Sequence, residues 1–150
     1  MLTAINNSKI DISKKKSTKR LAKDLTFHLN PGDIVFLYGE MGVGKTTFIR
    51  YLINGFQKKN KLELSEVTSP TFNILNEYQI NQIKINHYDL FRLKSSEEVK
   101  NLGLFEDTQN SITLIEWPQI IKEKPKNLIE LIFIYEDDHE KRSVQVKGLD

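Results

Sequence analysis

The sequence predicts a single α/β domain over residues 1–150, with a mainly parallel central sheet extended by antiparallel strands and helices on both faces. Three observations lead there. Ile34–Tyr38, IVFLY, is a short unbroken apolar run, as in strands buried on both faces of a parallel sheet. A glycine-rich loop follows, and beyond it Phe48, Ile49, Leu52, Ile53 and Phe56 recur at helical spacing. Further on, Ile112, Thr113, Leu114 and Ile115 form a second buried-strand pattern, and two strand patterns close the chain at 128–135 and 143–146.

Taken in order, residues 17–29 carry Leu21, Ala22, Leu25 and Leu29 at helical spacing behind Ser17 as capping residue, and stop at the turn Asn30-Pro31-Gly32. The central strand 34–38 and the helix after the loop come next. Residues 57–65 are polar and read as a surface connection. Phe72, Ile74, Leu75 and Tyr78 then suggest a strand, 79–82 a turn, and Ile83, Ile85 and His87 a hairpin partner ending at Asp89. Short helices divided by Gly103 are expected within 96–109. The buried strand 112–115 closes at Glu116-Trp117-Pro118, and the charged segment 136–142 joins the last two strands.

Composition narrows the function classes. A chain with 39% hydrophobic and 28% charged residues should fold and bury a core. The formal charge of +2 is too small to attract polyanions by itself. The absence of cysteine excludes disulfides, thiolate catalysis and zinc–thiolate sites. No signal-peptide core opens the sequence, and no run approaches the roughly 20 apolar residues of a membrane span, so a cytoplasmic protein without membrane contact is expected. The basic stretch 14–20 could touch a nucleic-acid backbone, although a solvated helix start is the simpler account of a short charge run.

The chemistry centres on residues 39–46, GEMGVGKT. Gly39 and Gly44 let the backbone turn so that amide hydrogens converge on an anion, at the positive start of the following helix. Lys45 can reach the outer phosphates of a nucleotide, and the Thr46 hydroxyl is placed for Mg²⁺, the arrangement of a Walker A loop and hence of a P-loop NTPase-like domain. Gly39, Glu40, Met41, Gly42, Val43, Gly44, Lys45, Thr46 and Thr47 are therefore the nucleotide-binding candidates.

Hydrolysis also requires a metal anchor and a group that positions water. Glu116 closes a buried strand, and the C-terminal ends of strands face the ligand crevice of an open α/β sheet. Asp89 ends the hairpin strand and is the second candidate for the metal shell or for water. Which of the two orients water stays open. Ser69-Pro70-Thr71 occupies the place where P-loop proteins often carry a segment sensing the terminal phosphate. His87 reads as a packed or hydrogen-bonded strand residue, and Trp117 either as core or as a cover for the crevice.

GEMGVGKTTF, SPTFNILNEY, HYDLFRL and ITLIEWPQ, in this order, resemble the TsaE (formerly YjeE) family of small bacterial P-loop ATPases over residues 17–119. The resemblance implies ATP and Mg²⁺ as ligands, with slow intrinsic hydrolysis. It also implies a supporting role in making threonylcarbamoyladenosine in tRNAs that read codons beginning with A. Group transfer itself would lie with the partner proteins TsaB and TsaD, the complex being reset between cycles by ATP turnover, and tRNA contact would be indirect or weak. Carried over by position, Lys45, Glu116 and Asp89 form the catalytic set, and Thr46, Glu116 and Asp89 the metal set. Thr71 belongs to a switch-like segment, Thr18 lies where the N-terminal flank approaches the nucleotide, and Arg142 is a suggestion for contact with the base.

Two other classes compete. A nucleotide-dependent binding module would share the loop but treat hydrolysis as incidental. A small-molecule kinase would need an arginine-bearing lid, whereas Arg20, Arg50, Arg92 and Arg142 are scattered.

Overall fold

The computed structural model describes residues 7–70, 73–136 and 140–149. In chain order they form β1 (Lys9–Asp11), α1 (Lys15–Thr26), β2 (Ile34–Tyr38), α2 (Lys45–Lys59), β3 (Leu75–Ile80), β4 (Ile83–Asp89), α3 (Ser96–Leu102), β5 (Ser111–Glu116), a 3-10 turn (Pro118–Ile120), β6 (Leu128–Tyr135) and β7 (Arg142–Lys147). All seven strands belong to one sheet, in the order β1-β7-β6-β2-β5-β4-β3. The centre is parallel, β6 and β5 flanking β2 and β4 continuing beside β5, while β3, β7 and β1 add antiparallel edges. This is the predicted fold class.

Strand alternation divides the core. Val35 and Leu37 of β2, Ile85 of β4 and Ile112 and Leu114 of β5 face α1 and α2, where Leu21, Ala22 and Leu25 meet Phe48, Ile49, Leu52 and Ile53. Ile34 and Phe36 point the other way, into a smaller cluster with Tyr88, Ile115, and Val99 of α3. Helices thus cover both faces and bury the runs that predicted the strands. No described helix is long and apolar enough to cross a membrane.

Several boundaries differ from the sequence reading. The first helix starts earlier, behind Lys14, and its N-cap makes no side-chain bond, so Ser17 is a helical residue, not the cap. Leu29 lies beyond that helix yet stays buried, which explains its place in the apolar pattern. The second helix runs on to Lys59, and Gln57, expected in a surface connection, is buried and clamps Ser65 by two amide hydrogen bonds of 2.8 and 3.0 Å.

The hairpin strand begins at Leu75, because Ile74 takes a left-handed φ of 65° that breaks extended geometry; Phe72 lies outside the described residues. Within 96–109 one helix forms, capped by Ser95 and ended by left-handed Gly103. The three-residue β1 carries too little pattern to be read from sequence; its pairing with β7 defines it.

Candidate functional site

The glycine loop leaves the C-terminal end of β2 and enters α2 directly. At Gly39 a Cβ would lie 2.9 Å from both the Cβ and the carbonyl oxygen of Phe133, so only glycine lets the loop pass β6 this closely. Gly44, the N-cap of α2, has φ 118°, a left-handed conformation that side chains rarely adopt. Val43 turns its side chain into the core, leaving its backbone to the loop, whereas Glu40 and Met41 are exposed.

Lys45, only 4% exposed, folds back over the loop. Its Nζ donates to the Gly39 carbonyl oxygen at 2.5 Å and rests 3.8 Å from the centre of the Trp117 ring. Trp117 has a left-handed φ of 58° although proline follows it, a strained placement that presents its indole to the lysine. Phe91 backs that ring at 4.9 Å. Both roles open to Trp117 in the sequence are seen: it lines the crevice and packs against the smaller core cluster.

The strand-ending carboxylates arrive together. β4 and β5 run parallel, and Asp89 is paired in register with Glu116, so both acids leave the sheet on the face that carries α2. Asp89 accepts hydrogen bonds from the Ser69 hydroxyl at 2.9 Å and the Phe91 amide at 3.0 Å. Glu116, 2% exposed, is bonded to His87 Nε2 at 2.6 Å.

A cavity of about 340 Å³ is lined by Met41, Gly42, Gly44, Lys45, Thr46, Thr47, Ser69, Asp89, Glu116, Trp117 and Arg142. It gathers the loop, both acids and the threonine hydroxyls. Thr18 is placed elsewhere: it is buried in α1 and donates to the Ile12 carbonyl oxygen at 3.4 Å, away from this lining. Thr71 lies outside the described residues.

Three contributors take roles that the sequence did not specify. Ser69 holds Asp89, His87 holds Glu116, and Arg142 arrives from β7 with a buried Nε that makes no hydrogen bond. In the sequence Ser69 belongs only to a proline-centred segment, His87 reads as a packed or hydrogen-bonded strand residue and Arg142 as a suggestion for contact with the base; the partners of Ser69 and His87 emerge only in the fold.

Burial pulls the Lys45 ammonium below its ordinary value of 10.5, an effect partly opposed by the negative charges of Glu116 and Asp89. An anion bound at the loop favours the charged lysine and pushes that value back up. Binding of a triphosphate should therefore take up protons on the alkaline side, and affinity should fall as pH rises through the lysine's free-state value. Calorimetry in buffers of different ionisation enthalpy measures this uptake; zero uptake at alkaline pH would show that Lys45 does not meet the anion.

The chemistry of the lining suits a polyphosphate with a hard cation. The loop brings backbone amides and the Lys45 ammonium to the lining, and Thr46, Asp89 and Glu116 bring oxygen donors of the kind Mg²⁺ prefers. Among the described residues no group of three or more His, Cys, Asp or Glu is placed to hold a metal, so a cation here would share its ligands with phosphate oxygens.

Comparison with known proteins agrees with this geometry. The Rickettsia felis protein named tRNA threonylcarbamoyladenosine biosynthesis protein TsaE is 45% identical over 111 residues, covering 74% of this chain and 63% of that protein. The chain thus spans less than two thirds of that relative, and the same holds for the Rickettsia conorii protein, 61% of which is covered. The identically named Rickettsia bellii protein is 43% identical over 133 residues, covering 88% of this chain and 90% of its own. Among solved structures, the crystal structure of Bacillus subtilis YdiB superposes with a TM-score of 0.67 at 25% identity, over 93% of this chain and 84% of that one. With the family model "Threonylcarbamoyl adenosine biosynthesis protein TsaE" matching residues 12–144, the chain belongs to the TsaE family.

Proposed function

We propose that this protein binds ATP with Mg²⁺ and hydrolyses it, and that turnover supports threonylcarbamoyladenosine modification of tRNAs reading codons that begin with A. The observation carrying this reading is that a Walker loop, its lysine and two strand-ending carboxylates line one cavity. The names of the relatives supply the pathway.

In this reading the loop amides of residues 39–47 cradle the phosphates, and Lys45 leaves the Gly39 carbonyl to meet the terminal ones. Thr46 and Glu116 hold Mg²⁺, with Asp89 supporting the metal or the attacking water. Mg²⁺ when bound neutralises charge on the terminal phosphates and fixes them for in-line displacement. Trp117, packed against Phe91, shields the lysine side of the cavity from water.

TsaB and TsaD are the proposed partners, with group transfer occurring on them in a cytoplasmic complex and ATP turnover resetting it. ATP hydrolysis measured with Mg²⁺, alone and with TsaB and TsaD, tests this. Slow intrinsic hydrolysis that rises when both partners are added is expected; no hydrolysis under either condition would defeat the reading.

A further inference from the structure

The His87 imidazole is fully buried, with 0% exposure, inside a core where an aliphatic side chain would be cheaper to desolvate. Its Nδ1 has no hydrogen-bond partner. The ring therefore makes one polar contact, Nε2 to Glu116 Oε2 at 2.6 Å, and that contact defines what a histidine achieves at this position. A buried ring nitrogen left unpaired is costly, so the placement is unfavourable unless Glu116 needs the donor.

The sheet register explains how the two meet. His87 and Asp89 lie two apart on β4, and Glu116 is paired with Asp89, so His87 is its diagonal neighbour on the same face. With the proton on Nε2, His87 donates to Oε2 and fixes the torsion of the carboxylate. Oε1 is then the oxygen free to serve the cavity that Glu116 lines.

We propose that His87 is a positioning residue: it orients the Glu116 carboxylate so that one oxygen faces the Mg²⁺ and water of the nucleotide site. The proposal rests on the ATPase reading above. Partners that orient a metal-binding carboxylate are worth about 10–100-fold in metal affinity or activity.

Three variants test it in the 150-residue chain. His87→Leu removes the donor; His87→Gln keeps an amide donor where Nε2 lies, whereas His87→Asn places it too far back. Mn²⁺ affinity is read by electron paramagnetic resonance in the presence of a non-hydrolysable ATP analogue, and kcat and KM for ATP are read in parallel. His87→Leu and His87→Asn should weaken Mn²⁺ binding and lower kcat by about 10–100-fold, with KM nearly unchanged, and His87→Gln should restore both to within about threefold.

Wild-type Mn²⁺ affinity and kcat in a folded His87→Leu would overturn the proposal. So would equal values for the Gln and Asn variants, a comparison that serves even where the leucine variant does not fold. A wild-type protein that binds the analogue without ever hydrolysing ATP would instead defeat the ATPase reading, and the Mn²⁺ series would then judge His87 by itself.

Discussion

Lys45→Ala should weaken ATP binding on the order of 100-fold and abolish measurable hydrolysis. The ammonium is the one cation of the loop, and its charge-assisted bonds to phosphate contribute roughly 3 kcal/mol, about two powers of ten in affinity. The structure adds a reason to expect little harm to the fold. Desolvation disfavours the charged form of the buried Lys45, which offsets part of what its contacts with Gly39 and Trp117 contribute to the empty protein. Thermal melting should therefore stay close to wild type while calorimetric ATP affinity collapses. Wild-type affinity in the variant would mean that the nucleotide does not lie on the loop.

Glu116→Gln should lower the hydrolysis rate by at least about 100-fold while ATP affinity changes only a few-fold. Glutamine is nearly isosteric, and its amide oxygen can still accept from His87 Nε2, which holds the side chain in place. That orientation turns the amide hydrogens toward the cavity, where they repel a cation and cannot accept a proton from water. The same variant separates hydrolysis from binding as the source of function. ATP-dependent association with TsaB and TsaD should persist, and repeated cycles of tRNA modification should stop. Undiminished multiple-turnover synthesis with this variant would assign the work to the ATP-bound surface alone.

The kinase alternative gains no support from the arginines. Of the four in the chain, only Arg142 lines the cavity, and it comes from β7 rather than from a lid. Arg20, Arg50 and Arg92 are exposed and absent from the lining.

Legibility followed locality. The loop could be read because its parts are contiguous: Gly39, Gly44 and Lys45 need only their neighbours to form an anion cradle at a helix start. Strand β5 was legible because all six of its residues are buried and Ile112, Leu114 and Ile115 leave a largely apolar signature up to Glu116. The start of α1 was misplaced because its N-cap makes no side-chain bond, so the serine cue pointed one turn too far along. Gln57 misled because a buried polar residue satisfied by Ser65 looks, in sequence, like a surface one.

The sequence by itself determined the glycine loop, the central strand that delivers it and the two acids that end strands. It could do so because φ preferences and hydrophobic periodicity act over a few residues. The tertiary structure alone decided that Asp89 stands level with Glu116, that His87 reaches Glu116 diagonally, that Trp117 lies against Lys45 and that Arg142 joins them from the far strand. These depend on strand order and register, where a slip of one residue would send every side chain to the opposite face, and register is set by packing across the whole sheet.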